Sequence, residues 1–232
     1  MQTSVKLATT LVACGLGAAS AHSAVIFTET FPNPTDDHAP LSSVGWESYF
    51  STDGTAHPAG ANTSAGPTII ASDFLYHANA TRNVPNLWFT QKQTFGDIAN
   101  LETISTDVRN STPEEAIHFV IRVGSTWYAS FETFNATGGN FASRSVDVQE
   151  DDWGILPVVL GSSLPGEGYF DGGSFTVSPL PASGTITAVG YFTDKLISTV
   201  RLDNLTLEGV IPEPTSLGLA ALAGLGLTRR RR

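Results

Sequence analysis

The chain has 232 residues, a formal net charge of −10 and one cysteine, Cys14. A single cysteine near the start leaves the rest of the chain without a disulfide framework, thiol catalysis or cysteine-ligated zinc. Lys6 and Arg229 to Arg232 sit in the end segments, as does Glu213, so the stretch between carries 7 basic against 21 acidic residues, a net −14. That surface repels nucleic acid and anionic membranes and suits neutral glycans or divalent cations.

Residues 1–24 read as a secretory signal peptide. Lys6 supplies the early positive charge, an apolar run follows from Leu7 to Ala19, and the small residues of "AASAHSA" place the expected cut after Ala24. The run is short of the ~20 apolar residues of a membrane span. A second reading stands beside it: Leu11-Val12-Ala13-Cys14 resembles a lipobox, which would make Cys14 a lipidated first residue.

Residues 25–210 predict one all-β domain. Val25 to Phe31, Pro67 to Ala78, Asn86 to Phe95 and Leu101 to Asn110 are expected strands, separated by Gly, Pro, Asn and Asp clusters. A short helical turn is expected at Pro113 to Ala116. Between Ala116 and Phe134, Ile117, Phe119, Ile121 and Val123 alternate with His118, Val120 and Arg122; Gly124-Ser125 turns the chain, and Trp127, Ala129 and Phe131 alternate on the way back. That period of two, broken by a two-residue turn, is a β-hairpin. Ser143 to Gln149, Ser174 to Leu180, Gly184 to Thr193 and Ser198 to Val210 complete the set. The sum is an antiparallel, jelly-roll-like β-sandwich. In the last strand Val200 and Leu202 have one parity and Leu205 and Leu207 the other, so a bulge is expected at Asp203-Asn204.

Residues 211–232 end the chain with Pro212-Glu213-Pro214, an apolar stretch from Leu217 to Leu227, and Arg229, Arg230, Arg231 and Arg232. This order resembles the PEP-CTERM sorting signal of Gram-negative bacteria. The resemblance implies an exported protein held transiently in the inner membrane by a short transmembrane helix. An exosortase-type membrane protease would cut it there, sending it to the cell surface or extracellular matrix. The arginines would hold their end at the cytoplasmic face. The apolar run is about half of a full ~20-residue span, so tilt or local thinning would make up the difference.

The central domain more weakly resembles galactose-binding-like and lectin-like jelly-roll domains, through Thr28 to Phe31, Trp127 to Ser130 and Val200 to Gly209. That resemblance implies a structural calcium ion held by Glu29 and Asp203, an ion suited to carboxylate and carbonyl oxygens.

Catalytic residues are not found. Glu150-Asp151-Asp152 is the densest acidic run but lacks the spacing that sets two carboxylates on one strand face, and the histidines form no H-x-H or H-E-x-x-H group. Aromatic rings beside loops suit sugar stacking, and Trp46, Tyr49 and Trp153 are the candidate ligand-binding residues. The expected role is that of a non-catalytic envelope or matrix protein that binds polysaccharide. The alternatives are a purely structural or adhesive matrix protein and, last, a secreted glycoside hydrolase.

Overall fold

In the computed structural model the chain divides into two units, one of which runs Ser23–Ile211. The structure describes residues 22–32, 39–52, 55–57, 68–71, 73–77, 84–110, 117–135, 139–160, 168–170, 176–196 and 200–211. The expected signal peptide (apart from its last three residues), Cys14, the turn at 113–116 and the sorting segment beyond Ile211 lie outside them. Among the described residues no helix is long and apolar enough to cross a membrane.

The fold is all-β. In chain order the strands are β1 (His22–Glu29), β2 (Ala39–Pro40), β3 (Trp46–Thr52), β4 (Thr55–His57), β5 (Thr68–Ala71), β6 (Phe74–His77), β7 (Val84–Thr90) and β8 (Leu101–Asn110). Then come β9 (His118–Val123), β10 (Thr126–Ser130), β11 (Ala142–Asp147), β12 (Trp153–Leu156), β13 (Val158–Leu160), β14 (Gly168–Phe170), β15 (Thr176–Val177), β16 (Ile186–Leu196) and β17 (Val200–Ile211). Two 3₁₀ turns, Leu41–Val44 and Ile98–Asn100, are the described helical elements.

One sheet has the order β11-β8-β17-β6-β5-β2, with β1 also on β17. β8 follows β17 from Val200 to Gly209, while β6 meets it at Val200 to Leu202 only, which leaves the rest of that edge for β1. The other sheet has the order β15-β12-β10-β9-β16-β7-β3-β4, and β13 and β14 form a separate hairpin. The two large sheets face each other across one apolar core. Phe27, Leu75, Ile104, Val108, Leu202, Leu205 and Leu207 come from the first sheet, and Trp46, Trp88, Phe119, Ile121, Tyr128, Val189 and Tyr191 from the second.

Two expectations about local geometry are met. Gly124 takes φ +61 in the turn that sets Val123 opposite Thr126, a conformation open to glycine without strain. In β17 the register slips between Asp203 and Thr206, with Asn204 at φ +51. The slip lets Leu202, Leu205 and Leu207 all point into the core. Each leucine so buried contributes roughly 2 kcal/mol, so an unbulged strand would forfeit more than the local disruption costs.

Other strands differ from expectation. In place of the single strand expected over Pro67 to Ala78 there are two, β5 and β6, with Asp73 between them at φ +63. Trp46 to Phe50 and Trp153, expected beside loops, lie in strands β3 and β12. In the second sheet, moreover, both faces are covered. Tyr49, Leu87, Phe89, Val120, Trp127, Ala129, Leu156, Ala188 and Phe192 make a second buried cluster on its outer side, with Val158 of β13 packed against it.

Candidate functional site

The residues singled out by the sequence fall into four places: Glu29 with Trp46, Asp203, Tyr49, and Trp153. Glu29, at the end of β1, is buried. Its Oε1 accepts the Phe31 backbone N–H at 3.1 Å, and its Oε2 accepts Trp46 Nε1–H at 3.0 Å and is ion-paired with Lys92. The Phe31 bond holds that residue at φ +46 and sends its ring against Trp46, 4.8 Å between centroids. Lys92 follows β7 and its ammonium also lies 5.3 Å from the Phe27 ring. The clasp therefore ties the first sheet to the second. It does not fit a calcium ligand, since N–H donors and an ammonium occupy the positions where a cation would approach.

Asp203 sits in the bulge, directly opposite Asp107 of β8. Its Oδ1 accepts the Asn204 backbone N–H at 2.7 Å, while Asn204 Nδ2 donates to Asp107 Oδ2 at 2.8 Å. Thr106 Oγ1 donates to the Asp203 carbonyl at 2.7 Å and lies 2.7 Å from the Tyr191 hydroxyl. Burial pushes the Asp203 carboxyl up to about 6; the Asn204 N–H opposes this, and Asp107, Asp73 and Glu29 add to it. Like charges opposite each other across strands cost stability. Glu29 and Asp203 thus feel each other's charge but have separate partners. Among the described residues, no group of three or more His, Cys, Asp or Glu side chains could hold a metal ion.

The raised carboxyl has a measurable consequence. Its folded value, about 6, exceeds its ordinary 3.8, so the fold binds this proton more tightly than the unfolded chain does. The resulting stability is full below 3.8 and is lost as pH rises through about 6. With the group only half-buried, solvent screening reduces the effect to about 1 kcal/mol. Asp203→Asn is therefore expected to stabilise the protein at neutral pH by about that amount and to flatten its pH profile between those values. Urea denaturation across the window checks this; an unchanged slope would remove Asp203 as its source.

None of the three candidate aromatic residues presents a ring face to solvent. Trp46 is 1% exposed and stacks on Tyr191 at 5.9 Å in the intersheet core. Trp153 is 2% exposed, in the same core, and donates Nε1–H to the Val148 carbonyl at 3.2 Å. Tyr49 lies in the outer cluster, stacked on Phe89 at 5.6 Å, with its hydroxyl donating to Glu47 Oε2 at 2.6 Å. Burial and Glu47 both push that phenol above its usual range. Strand alternation decides this placement: Trp46 and Ser48 face inward, Glu47 and Tyr49 outward.

Glu47 starts a polar row across the outer side of the second sheet. Gln91 Nε2 donates to Glu47 Oε1 at 2.6 Å, Arg122 Nη2 donates to Gln91 Oε1 at 2.9 Å, and Arg122 Nε donates to Thr187 Oγ1 at 2.7 Å. Burial pulls the Arg122 guanidinium below its usual value, with Glu47 opposing, and the group lies 5.3 Å from the Trp127 ring. Glu47 is the carboxylate of this row, and both its oxygens are engaged.

A concavity among the described residues lies elsewhere, at the β12–β15 edge. It is a cleft of about 300 Å³ lined by residues 148–153, Val177 and residues 179–182. The acidic turn on one side is built by its own carboxylates. Asp147 Oδ1 accepts the N–H groups of Gln149 and Glu150 at 3.0 and 3.1 Å, and Asp151 Oδ2 accepts that of Asp147 at 2.7 Å. Gln149 Nε2 anchors the turn, donating to the carbonyls of Ile98 at 3.0 Å and Leu101 at 2.9 Å. Ser178 N–H donates to the Trp153 carbonyl at 3.0 Å and holds the opposite wall in place. That wall is apolar: Val177, 67% exposed, then Pro179, Leu180 and Pro181. The sequence reading located Trp153 and the acidic run; it missed the facing proline wall.

Residues 210–232 match the PEP-CTERM protein-sorting motif. The motif implies an exported protein processed at the membrane by an exosortase. No curated protein matches the chain. Among solved structures, SCLam, a non-specific endo-beta-1,3(4)-glucanase from family GH16, is similar at 10% identity and a TM-score of 0.42. The match covers 83% of this chain and 93% of that one.

Proposed function

We propose that this is a cell-envelope or extracellular-matrix protein of a Gram-negative bacterium whose non-catalytic β-sandwich binds polysaccharide at the cleft beside Trp153. The observation that carries the reading is the sorting motif at 210–232, which implies export and so supports a role for the acidic domain among envelope polymers. In this reading 1–24 is the signal peptide, 25–210 the working domain and 211–232 the segment an exosortase removes. The cleft supports binding because it is preformed, with one polar and one apolar wall, as small-ligand sites are. A non-catalytic role fits two further features. Glu150, Asp151 and Asp152 are neighbours on one surface turn rather than a pair facing across a cleft, and Glu47 is held by Tyr49 and Gln91. Calcium is not part of the proposal, because Glu29 is already matched by Lys92.

A structural or adhesive role has one feature in its favour: Ile155 and Val177, both exposed, lie on neighbouring strands at the sheet edge. Binding assays decide between the two. The full-length chain in mild detergent is expected to bind one polysaccharide class saturably, and Val177→Arg, which fills the cleft with a guanidinium, is expected to weaken it at least about tenfold. Absence of binding to every polysaccharide tested would leave the structural role.

A further inference from the structure

We infer that the outer face of the first sheet carries a binding site for an acidic sugar unit, the carboxylate held by Arg109 and Arg201 and the ring packed on Tyr76 and Phe141. Strand parity builds it. In β8 and β17, Val108 and Leu202 point into the core, so their neighbours Arg109 and Arg201 point out. The two arginines are direct partners across the strands, and Arg201 is opposite Tyr76 of β6 on its other side. Phe141 precedes β11, whose Ala142 is opposite Val108, so its ring closes the other flank. The Arg201 guanidinium lies 5.1 Å from the Tyr76 ring and 5.8 Å from that of Phe74, and the Phe74 ring lies 5.8 Å from that of Phe141. Tyr76 and Phe74 are half-buried, and Phe141 is 39% exposed. The cleft beside Trp153 is a different place: Arg109 is about 20 Å along β8 from Thr103, which pairs with Asp147 at the start of the acidic turn.

Charge carries the assignment. Between its end segments the chain holds 7 basic residues against 21 acidic, yet two of the seven stand directly opposite each other. Like charges so placed cost stability. The acids in the next row do not answer them. Asp107 and Asp203 are engaged by Asn204, and the charges acting on Asp203 are those of Asp107, Asp73 and Glu29. A carboxylate bridging the two guanidinium groups replaces their repulsion with charge-assisted hydrogen bonds. Arg201, already stacked on aromatic rings, loses little freedom in making them. The rings beside the arginines suit the apolar face of a sugar, which a free phosphate lacks. The surrounding net −14 opposes a polymer charged at every unit beyond a Debye length, ~8 Å at physiological salt. An acidic unit set among neutral ones is therefore favoured over a nucleic-acid strand.

The test titrates the full-length chain, in mild detergent at physiological salt, with a galacturonic-acid trisaccharide bearing one free carboxylate. The same trisaccharide fully methyl-esterified, inorganic phosphate and a single-stranded oligonucleotide are titrated beside it. The expected result is saturable binding of the acidic trisaccharide, weaker by about tenfold or more for the esterified form. Arg109→Gln is expected to remove that preference with no loss of melting temperature, because it also relieves the opposed charges. Phe141→Ser, at an exposed position, is expected to weaken both sugars alike. Val177→Arg, in the other cleft, is expected to leave this binding unchanged, which keeps the two sites distinguishable. Equal binding of the two trisaccharides, unaffected by Arg109→Gln, would overturn the inference. Phosphate binding as tightly as the acidic sugar would overturn it in favour of a free-anion site, and tighter binding of the oligonucleotide in favour of nucleic acid. No binding of the acidic trisaccharide would also overturn it, and would leave the reading of the Trp153 cleft where it stands.

Discussion

Gly190→Ala is expected to prevent folding. Gly190 lies in β16, between β9 and β7, opposite Val120 on one side and Phe89 on the other. A Cβ built there would sit 1.9 Å from the Trp88 carbonyl oxygen and 2.6 Å from Phe89 Cα. Both are backbone atoms of a central strand, so no rotamer change relieves the overlap; β7 and β16 would have to separate. Separation would disturb Trp88 on the core side and Phe89, packed edge-on against Trp127 at 4.8 Å, on the outer side. A loss above about 4 kcal/mol is a large share of the ~5–15 kcal/mol that holds a domain together. Soluble yield and far-UV circular dichroism read the outcome. Gly139→Ala, where an added Cβ meets nothing within 4 Å, serves as the control and is expected to change stability by less than about 0.5 kcal/mol. A Gly190→Ala variant that folds with ordinary stability would mean the β7–β16 spacing is wider than described.

The sandwich was legible because alternation survives wherever one sheet face meets the core and the other meets water. β8 is such a strand: Ile104, Thr106 and Val108 are buried while Thr103, Ser105, Asp107 and Arg109 are less so, and its predicted bounds match those observed. The bulge was legible for the same reason, since four apolar residues of mixed parity can share one core only if the strand gains a residue. The second sheet showed its β9–β10 hairpin through the same period but concealed that its outer side is partly buried too. With apolar cover on both faces, Phe119, Val120 and Ile121 are buried in succession, and which face each side chain takes is set by packing rather than by polarity.

The site was less legible. Trp46, Tyr49 and Trp153 look like sugar platforms because aromatic rings serve both cores and ligands, and composition does not say which. Parity settles two of them once β3 and β12 are known as strands, yet β3 reads as a loop border from its glycine and polar neighbours. The acidic turn was visible as a run of carboxylates. Its meaning depended on the wall that β15 and residues 179–182 bring to it from some 30 positions further along the chain, a tertiary juxtaposition that local spacing does not encode. Glu29 illustrates the converse case. The resemblance to lectin-like jelly-roll domains implied a cation at this residue, and the fold supplies a positive charge from Lys92, 63 residues away.

That substitution of a side chain for an ion leads to the second large effect. Lys92→Met is expected to destabilise the protein by about 2–3 kcal/mol, because it leaves Glu29 buried and charged without its partner. The usual cost of breaking a buried pair is about 3–5 kcal/mol; the Lys92 side chain is 37% exposed, so water entering its place recovers part of that. Trp46 Nε1–H and the Phe31 N–H would remain on the carboxylate, which is why the loss stays short of unfolding. Adding Glu29→Gln removes the stranded charge while keeping one acceptor oxygen, and is expected to restore at least about 1 kcal/mol. Urea denaturation of the two single variants and the double variant gives the coupling. A cost within about 0.5 kcal/mol for Lys92→Met, the range of an ordinary surface change, would show that Glu29 does not depend on the ammonium. Calcium added to Lys92→Met separates the two accounts of this carboxylate. No recovery is expected, since Trp46 and Phe31 still aim N–H groups at it; recovery of stability would make Glu29 a cation ligand after all.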